Sequence, residues 1–109
     1  MSDEELTRFR IRFTEVGRTE YDETALWYAA HSPETAARWL EGFEEAIASL
    51  STLPGIHPIA QESQHFGRTV RRLLYRQFRL LYYVEEPSDD EPGTVYVLSV
   101  RHGAVRPTG

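Results

Sequence analysis

The 109-residue chain has no cysteine and no lysine. The first absence excludes a disulfide framework and thiolate metal sites. The second excludes lysine-based catalysis and leaves arginine as the sole permanent side-chain cation: all twelve basic residues are Arg. No apolar run approaches the roughly 20 residues that cross a bilayer. The N-terminus, Met1-Ser2-Asp3-Glu4-Glu5, is acidic rather than the basic start of a secretory signal. These absences predict a soluble, cytoplasmic protein without membrane contact. Its length predicts one domain over 1–109, with flexible ends at 1–7 and 107–109.

What is present is an uneven charge distribution. The formal net charge is −5, yet between Phe66 and Val84 there are five arginines and no acid. A ligand meets the local field, not the total. The same region is apolar and rich in β-branched and aromatic residues. Val70–Val84 and Val95–Gly103 flank a polar break, Glu86–Gly93, and read as sheet. Three strands are predicted near 69–76, 77–86 and 94–102.

Upstream, Arg8-Phe9-Arg10-Ile11-Arg12-Phe13 alternates strictly, the period of a half-buried strand. The arginines form its solvated face. Val16-Gly17-Arg18 reads as a break. Thr19 then reads as the N-cap of a helix running to about Ala30, with Asp22 completing a capping-box-like pattern. Ser32 and Pro33 restart helical spacing as cap and first residue. Ala36, Leu40, Phe43, Ile47 and Leu50 step by four, three, four, three, which predicts an amphipathic second helix ended by Pro54-Gly55. A short joint makes the two helices an antiparallel hairpin. Residues 54–68 read as loop. Trp27 and Trp39 are expected at the seam between helices and sheet.

The order is β-α-α-β-β-β. A helical hairpin and a small, mostly antiparallel sheet each have one apolar face, and packing them together gives a two-layer α+β domain.

Arg68, Arg71, Arg72, Arg76, Arg79, Arg101 and His102 are the candidate binding residues for an anionic partner. Arg71 and Arg79 have an internal alternative, pairing with Glu41, Glu44 or Glu45 of the second helix. Asp89-Asp90-Glu91 do not converge as a metal site, and His31, His57 and His65 lack ligand spacing. No metal or cofactor is expected.

Several segments together resemble the RelE/ParE family of toxins from bacterial toxin–antitoxin pairs. They are Pro33 with Ala36-Ala37-Arg38, Ile47-x-x-Leu50-x-x-x-Pro54, Arg71-x-Leu73, Phe78-Arg79-x-Leu81-Tyr82-x-Val84 and Val97-Leu98-x-Val100-Arg101-His102-Gly103. The resemblance covers about 8–106, and Phe78 stands where family members often carry Tyr. It implies a toxin bound by a cognate antitoxin, an acidic amphipathic segment that folds on binding. Two targets follow from it. ParE-like members inhibit DNA gyrase by binding, and RelE-like members cleave messenger RNA in the ribosome. Metal-independent cleavage needs a base, an acid and cations for the phosphorane. Arg71, Arg79 and His102 are the residues offered, without an evident second proton-transfer group beside His102. A net negative charge also opposes docking on RNA. The gyrase reading is therefore preferred. The nuclease is the alternative, and a non-toxic binding module of the same fold is a further one.

Overall fold

The computed structural model describes residues 9–102. The expected flexible ends, together with Arg8 and Gly103, lie outside the described residues. The elements are β1 (Phe9–Phe13), α1 (Glu15–His31), α2 (Pro33–Ala48), a short helix α3 (Ser63–Phe66), β2 (Arg71–Tyr75), β3 (Phe78–Glu85) and β4 (Gly93–His102). The sheet order is β1-β4-β3-β2. β1 runs parallel to β4, and the other pairs are antiparallel. This is the expected α+β architecture. No helix of the described residues is long and apolar enough to cross a membrane.

The principal core lies between the helices and one face of the sheet. Trp39, Phe43, Ile47 and Leu50 meet Leu73, Phe78, Leu80, Tyr82, Val95, Val97 and Val100. Tyr21 sits 5.5 Å from Phe43 and Tyr28 stacks 4.3 Å from Trp39, so α1 and α2 run in opposite directions. Ser32 alone joins them. Its amide donates to Tyr28 O, closing α1, and its carbonyl accepts from Ala36, opening α2. Its side chain makes no capping bond, contrary to the role expected of it.

The first helix starts earlier than the sequence suggested. Thr14, not Thr19, is the N-cap, and its Oγ1 accepts from the Gly17 amide at 3.0 Å. Val16-Gly17-Arg18 is the opening of the helix, not a break. Gly17 is there for clearance: a Cβ at this position would overlap the Val97 carbonyl of β4. Thr14 N and Thr14 Oγ1 donate to that same carbonyl, at 3.0 and 3.1 Å. The helix is thus pinned against β4 as the chain leaves β1.

Residues 54–70 are more ordered than a loop. A 3-10 turn spans Pro54–Ile56 and α3 ends at Gly67 in the left-handed region, φ 71°. Ser63 Oγ accepts from Val70 N at 2.8 Å and donates to Val70 O at 3.0 Å. Ala60, Val70 and Leu81 form a second small core with Phe66 and Leu98. The sheet is therefore covered in part on both faces, where the two-layer expectation left the second face open. The strand β4 carries one extra residue, with Leu81 opposite Ser99 and Tyr82 opposite Val97. This bulge leaves Leu98 without a partner in β3.

Candidate functional site

Part of the arginine-rich region, Arg72, Arg79 and Arg101, lies on the sheet face away from the helical hairpin, while Arg71 lies on the near face with Leu73. Arg79 and Arg101 are direct cross-strand partners. Like charges in that relation repel, and a counter-ion resolves the conflict. Glu62, from the segment just before α3, accepts from Arg79 Nη2 at 2.6 Å and lies 3.5 Å from Arg101 Nη1. The Glu62 side chain is only 19% exposed, so solvent screens the pair weakly. The hydrogen bond from Arg79 holds the Glu62 carboxyl below the ordinary carboxylate range; its own backbone and the two positive charges add to this, against partial burial.

The network continues along β4. Arg101 Nε donates to Ser99 Oγ at 3.0 Å, and Ser99 Oγ donates to Glu20 Oε1 at 2.7 Å. Glu20 also accepts from the Val100 amide at 2.9 Å. β1 pairs with β4 only as far as Val97, so this carboxylate from α1 satisfies an edge amide that has no strand beside it.

The remaining sequence-predicted residues do not converge. Arg71 donates to His57 O at 2.7 Å. Burial, then the nearby Arg71 charge, pushes His57 below its ordinary value. Arg72 is half-buried, with Nε unpaired. Arg68 is exposed and lies 3.6 Å from the Tyr83 ring centroid, with Tyr96 stacked 5.0 Å from Tyr83. Arg76 is exposed at the β2–β3 turn with φ 55°. His102 is exposed at the end of β4; its ring meets Phe78 edge-on at 4.9 Å and makes no hydrogen bond among the described residues.

Two expectations are corrected here. Arg79 pairs with Glu62, and Arg71 with the His57 carbonyl, rather than with Glu41, Glu44 or Glu45: Arg79 occupies the face opposite α2, while Arg71, on the near face with Leu73 and Tyr75, meets the segment that follows α2 instead of the helix itself. Trp27 is 53% exposed and stacks on His31, while Trp39 does lie in the core. The groups missed were Glu62, Glu20 and Ser99. Glu62 had a signal: it is the lone acid between residues 54 and 84.

Of the three residues offered for cleavage, Arg79 is paired with Glu62, Arg71 is bound to the His57 carbonyl, and the His102 ring has no hydrogen-bond partner among the described residues. Among the described residues no cluster of three His, Cys, Asp or Glu residues forms a metal site.

Two solved structures share this fold. A chain of the chromosomal ParDE toxin–antitoxin system from P. aeruginosa superposes with a TM-score of 0.63 at 18% identity, covering 87% of this chain and 96% of the other. A chain of the RelBE2 toxin–antitoxin complex from Mycobacterium tuberculosis superposes with a TM-score of 0.56 at 24% identity, covering 92% and 97%. No curated protein sequence matches. The four-stranded sheet with its helical hairpin is thus a fold of the ParE/RelE toxin class. Residues 11–107 match the family model of the ParE toxin of type II toxin–antitoxin systems, parDE. The chain belongs to that family and is a type II toxin of the ParE kind.

Proposed function

We propose that this protein acts by binding DNA gyrase and is held inactive by a cognate antitoxin. The observation that carries the reading is that Arg79, one of the residues offered for cleavage, is held together with Arg101 by Glu62, and that no hydrogen bond joins the His102 ring to an acid or base among the described residues. A binding inhibitor needs neither free cations at that place nor an acid–base pair. It needs a shaped surface, and here Arg68, Arg76 and the half-buried Arg72 supply positive charge while Arg71, Arg79 and Arg101 brace the strands.

The antitoxin reading draws on the family and on the two relatives, both from toxin–antitoxin systems. An acidic segment suits exposed guanidinium groups, and an amphipathic one suits the hollow of about 480 Å³ between β1 and α2, where Ile11, Phe13 and Ile47 form an apolar wall.

Purified gyrase and negatively supercoiled plasmid provide the test. Micromolar toxin is expected to suppress supercoiling and to raise the amount of trapped cleavage complex, and antitoxin is expected to reverse both. Unchanged supercoiling and cleavage at that concentration would overturn the gyrase reading. Message breaks within codons, dependent on translation, would favour the nuclease instead.

A further inference from the structure

The end of the molecule where the α1–α2 joint meets the β2–β3 turn carries two adjoining hollows. The first, about 430 Å³, is walled by Tyr28, Thr35, Arg38, Trp39, Arg76 and Gln77. No carboxylate lines it. Arg38 and Arg76 are both exposed, and neither forms an ion pair among the described residues, whose pairs involve Arg10, Arg18, Arg79 and Arg101. Two other hollows mix signs, Arg18 with Glu44 in one and Arg71 with Glu86 in the other. In a protein of net charge −5, an acid-free hollow with two unpaired guanidinium groups is a place for an anion. Planar guanidinium forks match phosphate oxygens in particular.

The second hollow, about 480 Å³, shares Tyr28 and Gln77 with the first and is lined by the rings of Trp27, Phe78 and His102. Trp27 stays 53% exposed. His31 stacks on its ring at 4.2 Å and Tyr28 meets it edge-on at 5.2 Å. A half-open tryptophan braced by its neighbours is a stacking platform for a flat ring. Glu23 at the same hollow offers acceptors to a polar ring edge, and so does the Thr24 hydroxyl oxygen, whose proton goes to the Glu20 carbonyl.

We propose that the two hollows form one nucleotide site, with the phosphate between Arg38 and Arg76 and the base against Trp27. An acidic peptide would satisfy the arginines but not the flat, ring-lined half, which is why a nucleotide is favoured. The site is independent of the gyrase reading, because its binding is measured without gyrase.

Calorimetry on the full chain tests it with pyrophosphate, adenosine, adenosine 5′-diphosphate, a 5′-phosphorylated single-stranded oligonucleotide and a glutamate-rich peptide. The diphosphate is expected to bind at least tenfold more tightly than either pyrophosphate or adenosine, as two separately modest contacts joined in one ligand should. Arg38→Gln is expected to weaken it about tenfold, the worth of a charge-assisted contact. Trp27→Ala should remove the advantage over pyrophosphate while leaving pyrophosphate binding intact. Arg76→Gly removes a guanidinium at a positive φ that glycine adopts freely, so weaker binding in this variant reports the ligand contact and not a lost fold. A tighter oligonucleotide assigns the site to a nucleic-acid end, and a tighter diphosphate assigns it to a free nucleotide; either supports the proposal. Absent binding at millimolar diphosphate, affinity unchanged in Arg38→Gln and Arg76→Gly, or a preference for the peptide would overturn it.

Discussion

Glu62 is the residue on which the arginine cluster turns. It stands between two cross-strand arginines that would otherwise repel, and it is mostly shielded from water. Replacing it with Gln keeps the shape and removes the charge. Glu62→Gln is expected to lower stability by about 2 kcal/mol, the usual loss for a hydrogen bond to a charged group, measured by urea denaturation. The pH dependence has a definite sign. The folded-state carboxyl lies below its ordinary value of 4.5, so the unfolded chain takes up the proton first as acid is added. The stabilisation is present in full above that ordinary value and is lost as pH falls through the folded one. The difference in stability between wild type and Glu62→Gln should therefore shrink with acidification in that window; a constant difference would mean that Glu62 acts by packing instead. Gly17→Ala is the second residue-scale prediction. Its new methyl group meets a backbone carbonyl that is fixed in the sheet, so a loss of about 1–3 kcal/mol is expected, read as a lower thermal midpoint. Neither residue's task was legible in advance. A glycine four residues after a strand reads as a break, because its neighbour across the fold is 80 residues away in sequence. A lone acid in a loop carries no period.

At the scale of elements, repetition decided what was legible. The alternation of β1, the three later strands and the apolar stripe of α2 each repeat a local rule several times, and each appears where expected to within a few residues. The start of α1 rests on a choice between Thr14 and Thr19, which tertiary contact with Val97 makes for Thr14. The segment 54–70 lacks any period and folds through single contacts, such as Ser63 with Val70 and the Tyr82 hydroxyl with the Pro54 carbonyl. That hydroxyl is buried, and burial pushes its pKa to about 12. Tyr82→Phe leaves a buried carbonyl unpaired and is expected to cost about 1–2 kcal/mol. Hydrogen exchange should show it as faster exchange across 54–72 with β3 and β4 little changed. Equal acceleration throughout the sheet would mean that the segment has no stability of its own.

For the whole molecule, the net charge of −5 and the arginine-rich strands describe different regions. Half of the expected cationic surface is braced internally by Glu62 and the His57 carbonyl, and the exposed remainder, with Arg68 and Arg76 foremost, falls at separate places. The sequence resemblance reached the family because the strand motifs carry the core positions of the fold, Phe78, Leu81, Tyr82, Val97 and Val100 among them. It could not reach the ionic network, which depends on contacts across the sheet. The central claim is that a ParE-family toxin with this network inhibits by binding rather than by cleaving. Plasmid topology and message integrity, read from the same cultures after induction without antitoxin, test it most directly. The account predicts that plasmids lose negative supercoils and that gyrase cleavage complexes accumulate while messages stay whole. Normal supercoiling together with messages cut inside codons would contradict it.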